Sequence, residues 1–174
     1  MNAEQLRQLQ QPLKERYRND PSAALITLCA QGRIGEGVTC NVETGRMLVQ
    51  ARLHPATGGT GFAACSGDML LQALVACAGV TLNAVATAIG IPLCGGQLTA
   101  EGDLDFRGTL GVDKEAPVGF RAIRLRIAVE SDAAPQDLEK LLRLTERYCV
   151  VYQTLRNSPG LDVSIERRPE KSDG

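Results

Sequence analysis

Thiols and a single imidazole carry most of the chemistry this sequence offers. Six cysteines stand at positions 29, 40, 65, 77, 94 and 149, and the only histidine is His54. A thiolate is a nucleophile and a redox centre. A Ser-His-Asp or Cys-His system would have to use His54. No Gly-x-Ser-x-Gly elbow occurs and no conspicuous serine adjoins His54, so a hydrolase using it is the lesser alternative. The absence of any Cys-x-x-Cys pair excludes a zinc ribbon or a thioredoxin motif. One histidine among scattered cysteines also argues against a transition-metal site, so neither a metal nor a bound cofactor is expected.

Two of the cysteines sit in long apolar elements. Cys77 lies in "LLQALVACAGVTLNAVATAIG", part of a stretch from Met69 to Ala100 without Asp, Glu, Lys or Arg. Its length of about 21 residues would cross a bilayer. Gln72, Thr81, Asn83 and Thr87 dilute it, however, and no Lys/Arg cluster flanks it, so a core helix is expected rather than a membrane span. Ser66 suits the N-cap and Asp68 the first turn, while Gly90 and Pro92 stop the helix near Ile89. A helix apolar on all sides is buried on all sides. One chain of this size has little mass to cover it, which predicts a homodimer.

Cys149 belongs to residues 134–155, read as one continuous helix. Leu138, Leu142, Thr145 and Cys149 share a face, flanked by Leu141, Tyr148 and Tyr152. On the residues alone, each cysteine is either an inert core side chain or a reactive thiol.

The remaining elements place these helices. Leu6, Leu9, Leu13 and Tyr17 predict a helical face over 3–17 whose pattern Pro12 interrupts, so a short or kinked amphipathic helix is expected. Strands are expected at 23–35, 37–43 and 46–54, with a tight turn at Thr44-Gly45. The glycine-rich loop 55–68 lacks the Gly-Lys-Ser/Thr of a phosphate-binding loop. Apolar/polar alternation predicts further strands at 97–110, 121–131 and 161–167. Strands that come as hairpins give an α+β fold with largely antiparallel sheet. The expected organisation is a helical extension (1–20), one domain (21–168) and a disordered tail (169–174).

A formal charge of −1 and 3% aromatic residues leave neither an electrostatic footprint nor stacking platforms for nucleic acid. The polar N-terminus is no secretory signal, so a cytoplasmic location with reduced cysteines is expected.

At the two cysteines the sequence resembles a known family. The helix "SGDMLLQALVAC" after a glycine-rich loop, the later "CVVYQTLRNS" followed by an apolar strand, and the upstream "GRIG" are similar to the OsmC/Ohr family of thiol-dependent hydroperoxide reductases. The likeness spans about residues 23–167. It implies an OsmC-like fold with a central buried helix, an intertwined homodimer and active sites near the subunit interface. It also implies a cysteine peroxidase in which Cys77 attacks a hydroperoxide and becomes a sulfenic acid. Cys149 would then condense with it to a Cys77–Cys149 disulfide, which an external thiol such as a lipoyl protein or another dithiol reduces. The alternative within the same fold is a non-catalytic or ligand-binding protein with inert cysteines.

Burial raises a thiol's pKa, so the resemblance assigns Arg33 of "GRIG" as the cation that activates Cys77. A family carboxylate that holds this arginine falls on Gly67 or Asp68. Asp68, nine residues before Cys77, lies on the opposite face of a continuous helix. Where the family often has Ser-Pro this chain has Cys65-Ser66, and where it often has Pro after the second cysteine this chain has Val150.

Overall fold

A computed structural model describes residues 2–19, 31–34, 39–44, 47–57, 62, 64–111 and 113–167, with only the backbone for the strands before residue 49 and part of the first helix. That first helix, α1, runs Ala3–Asn19. Its start is a capping box: Gln5 N–H donates to Asn2 Oδ1 (2.9 Å) and Asn2 N–H to Gln5 Oε1 (3.0 Å). The helix continues through Pro12, which excludes the short alternative of the expected short or kinked helix. Proline removes one backbone hydrogen bond, and the cap with its run of Gln, Leu, Lys, Glu and Arg sustains the rest.

Three strands follow: β1 (Gln31–Ile34), β2 (Thr39–Thr44) and β3 (Met47–Arg52), an antiparallel meander in the order β1-β2-β3. The expected strand start at 23–30, the Gly45 side of the turn and the tail from 168 lie outside the described residues. After a 3-10 turn at Pro55–Thr57, helix α2 spans Ser66–Ile89. Ser66 is its first residue rather than its cap. Cys65 occupies the N-cap with no side-chain cap bond, and Gly90 closes the helix in the left-handed region at φ 75°.

Strand β4 (Gly95–Asp103) pairs antiparallel with β5 (Ala122–Glu130), with Leu98 opposite Ile127 and Ala100 opposite Leu125. The expected strand to 110 instead ends at Asp103, and a short helix α3 (Phe106–Thr109) follows. Asp105 causes the turn, because its carboxylate accepts from Arg107 N–H at 3.2 Å.

The predicted second long helix is two helices. α4 runs Pro135–Tyr148 and α5 Val150–Arg156, broken at Cys149. Residues 161–167, predicted as a strand, are exposed and belong to no helix or strand. A strand needs a neighbour's edge to satisfy its backbone, and no described part of this chain offers one there.

The core lies where α2 meets α4. Leu74, Ala78, Leu82, Val85 and Ala86 bury one face of α2 at spacings of three and four. Leu82, Val85 and Ala86 pack with Leu141, and Ile127, Val129 and Leu138 close around them. Leu141 and Thr145 are the buried residues of α4, whereas Leu142, expected on the same face as Thr145, is 46% exposed. α2 is long and apolar enough to cross a membrane by length and composition, yet α1, β4, α4 and α5 all lie against it. Its other face stays open, with Val80 73% exposed.

Candidate active site

Cys77 sits midway along α2, half-buried, and Cys149 sits at the break between α4 and α5, 1% exposed. The sequence separates the two thiols by 72 positions, and the fold brings them into hydrogen-bond contact. The backbone at the break explains how.

Cys149 leaves the helical region (φ −74°, ψ 109°), although its N–H still donates to Thr145 O at 2.9 Å. One residue of extended backbone then restarts the helix. Gln153 N–H donates to Cys149 O at 2.9 Å, the first bond of α5. In a continuous helix Val150 N–H would donate to Glu146 O. Here the side-chain amide of Gln153 donates to that oxygen at 2.7 Å. Val150 and Val151 N–H are thereby released from helical bonding, and both favour the ionised form of the Cys77 sulfur. The thiol of Cys149 and the hydroxyl of Thr81, one turn along α2, reach the same sulfur.

The electrostatics of the pair are asymmetric. Burial acts most strongly on Cys77 and opposes ionisation, but Val151 N–H, the Cys149 thiol, Val150 N–H and the Thr81 hydroxyl together outweigh it. The Cys77 thiol is therefore held below its ordinary pKa. Burial pushes the Cys149 thiol up, and the neighbouring Cys77 sulfur pushes it further, against the pull of Tyr152 and Val151 N–H. The pair is thus biased so that Cys77 ionises before Cys149.

Among the described residues these helix-start donors are what offsets the desolvation of Cys77, a task that the family resemblance assigns to Arg33. Arg33 lies on β1 with its backbone opposite Asn41, and its side chain is outside the described residues. Asp68 lies in the first turn of α2 and lines a different cavity, of about 370 Å³, with His54, Cys65, Phe106 and Phe120. It is not among the groups that act on Cys77. His54 stacks on Phe106 with centroids 5.0 Å apart, and its Nδ1 accepts from Ala56 N–H at 3.1 Å. No serine is among the described residues lining that cavity. Among the described residues, no group of three His, Cys, Asp or Glu side chains could hold a metal ion.

Thr81, Gln153 and the two valine amides escaped the sequence reading, because residues 134–155 keep helical periodicity straight through Cys149. A proline at position 150 would have signalled the break, since the residue before a proline avoids the helical region. Val150 carries no such signal.

A pH experiment tests the donor set. Val151→Pro deletes one N–H in the first turn of α5, where a helix has no use for it. Thr81→Val deletes the hydroxyl. Thiolate concentration rises as pH passes the thiol's pKa, so both variants should need a higher pH for half-maximal Cys77 alkylation. The expected shift for Val151→Pro is about one pH unit, the size of one charge-assisted hydrogen bond. Thr81→Val should shift it less, and Thr81→Ser should match the wild type. Unchanged midpoints in both deletions would remove these groups from the site.

The chain is similar to known proteins in sequence and fold. The family model of OsmC-like proteins matches residues 58–164, more than half the chain. No curated protein matches it. The OsmC-like protein of Mycoplasma pneumoniae superposes with a TM-score of 0.64 at 17% identity, over 76% of this chain and 89% of that one. An organic hydroperoxide resistance protein OsmC from Legionella pneumophila gives 0.60 at 19% identity, over 76% and 91%. The organic hydroperoxide resistance protein OhrB of Bacillus subtilis gives 0.51 at 18% identity, over 76% and 93%. Identities this low speak to the shared α+β architecture alone.

Proposed function

The chain belongs to the family of OsmC-like proteins, and on that premise we propose that it is a thiol-dependent hydroperoxide reductase using Cys77 and Cys149. A peroxide-related redox role is the coarse theme of its hydroperoxide-resistance neighbours. The observation that supports the finer reading is the asymmetric thiol pair, with Cys77 favoured as thiolate and Cys149 as thiol.

The Cys77 thiolate attacks one peroxide oxygen. An S–O bond forms, the O–O bond breaks, sulfur gives up two electrons, and the departing alkoxide takes a proton to leave as alcohol. Hydrogen peroxide would release water instead. Cys149, already in contact, then attacks the Cys77 sulfenic acid, and its proton departs with the hydroxyl as water. An external dithiol, a lipoyl protein or another thiol donor, restores both thiols by exchange through a mixed disulfide. Neither metal nor bound cofactor takes part. Arg33 is the candidate to steady the developing charge on the leaving oxygen. Asp68 is the family carboxylate's positional match, and its proposed part is limited to holding that arginine. We place the protein in the cytoplasm as a homodimer acting on organic hydroperoxides.

Peptide mapping after a stoichiometric pulse of organic hydroperoxide tests this cycle. The wild type should yield an intramolecular Cys77–Cys149 bridge. Cys149→Ser should yield none and should hold Cys77 as a sulfenic acid that a dimedone probe captures, or as its overoxidised form. A wild type without the bridge would overturn the two-cysteine reading. Unmodified Cys77 in Cys149→Ser would overturn the peroxidase reading itself.

A further inference from the structure

The break at Cys149 has a holder. Position 150 is a valine, so no proline ring enforces the break, and helical periodicity runs straight through it. A straight helix would bond Val150 N–H to Glu146 O. When that bond is given up, the carbonyl at the end of α4 needs another partner. Gln153 supplies one from seven residues further on. Its side-chain Nε2 donates to Glu146 O at 2.7 Å, and its backbone N–H donates to Cys149 O at 2.9 Å. One residue thus grips the last turn of α4 and starts α5.

The Gln153 amide is itself held. Its Oε1 accepts from Asn157 Nδ2 at 3.1 Å, one turn along. Asn157 N–H also closes α5 on Gln153 O at 2.9 Å. An amide presents a donor on one side and an acceptor on the other. With Asn157 donating to the oxygen, the nitrogen faces Glu146. The bond to Glu146 O is part-buried, where an unpartnered carbonyl is costly. Without the Gln153 donor, the regular helical partner of Glu146 O is Val150 N–H, and taking it straightens the segment.

We propose that Gln153 is a positioning residue for the thiol pair: by satisfying Glu146 O with its side chain, it keeps the helix broken at Cys149 and leaves Val150 and Val151 N–H to the Cys77 sulfur. The Gln153 side chain is not among the groups that act on either thiol, so its effect passes through the backbone. This role rests on the reading of Cys77 as the reactive thiol.

Alkylation of Cys77 against pH, in the full chain and without peroxide, tests it. Gln153→Met keeps the length and helix propensity of glutamine, adds no charge and cannot donate. It should raise the midpoint by about half a pH unit or more, roughly a threefold loss of thiolate at neutral pH. Val150→Pro supplies the discriminating background. It removes the N–H that competes for Glu146 O and keeps Cys149 out of the helical region. It sits at the first residue of α5, where proline is favourable, and Val150 is 69% exposed, so the ring has room. This variant should show a raised midpoint of its own, one donor being lost, and adding Gln153→Met should raise it no further. A side chain that merely stabilised α5 would shift both backgrounds alike. An unchanged midpoint in Gln153→Met overturns the proposal, and so does an equal rise in both backgrounds. Should Gln153→Met not fold, Asn157→Ala at its exposed position gives the same comparison, with a smaller rise expected. Failure of the peroxidase reading is seen separately, in the bridge-mapping experiment and not in an alkylation midpoint.

Discussion

Cys77→Ser is expected to lower hydroperoxide reduction by on the order of 1,000-fold or more, to the rate of the reductant alone. The argument rests on ionisation. Val151 and Val150 N–H, the Cys149 thiol and Thr81 stabilise a charged sulfur at this position. A serine hydroxyl in the same place stays protonated, because an alcohol ionises far above a thiol. Fold and packing should survive, since oxygen for sulfur is a small change in a half-buried position. Cys149→Ser separates the roles: it should still consume one equivalent of hydroperoxide and then stop. The measurement is the rate of hydroperoxide loss in the presence of a dithiol. A Cys77→Ser variant with more than a tenth of wild-type turnover would mean that another group carries the reaction.

Leu141→Ala should be the most damaging substitution away from the thiols. Leu141 is 2% exposed and packs on Leu82, Val85 and Ala86, the contact that ties α4 to α2. Truncation loses the transfer free energy of the side chain and leaves a cavity, a cost of about 2–5 kcal/mol for a buried leucine. The site lies on the same two helices, so loosening this contact should also separate the cysteines and slow formation of their bridge. Urea unfolding under reducing conditions, at matched protein concentration, gives the number. A loss under about 1 kcal/mol would mean that the α2–α4 contact is not the centre of stability.

Much of this architecture is readable from residue order. The expected cap at Ser66 and the stop at Gly90 give α2 to within a residue, because a helix stop needs a left-handed position and glycine takes it freely. Alternation at 121–131 gives β5 for the same kind of local reason. The failures are tertiary or local in ways that periodicity hides. Asp105 turns the chain by a bond to its own neighbour while the apolar pattern runs on to Leu110. The face of α4 is set by its contact with α2, so Leu141 rather than Leu142 is buried. At the site, Cys77 and Cys149 stand out by resemblance. Thr81 and the Val150 and Val151 amides do not, because backbone donors leave no mark in a sequence. Residues 161–167 have a strand's pattern, and a pattern alone does not name the neighbour.

The break at Cys149 also sets folding against chemistry. A straight helix from Pro135 to Arg156 would keep Val150 N–H on Glu146 O and free the Gln153 side chain. By helix energetics alone it is the better structure. Variation that straightens this segment would gain helical hydrogen bonds at the expense of the packing of α5 on α2, and it would withdraw both valine amides from Cys77. Robustness and reactivity pull on the same peptide bonds. A hardened descendant of this protein could fold faultlessly, expose no new surface and still be chemically silent.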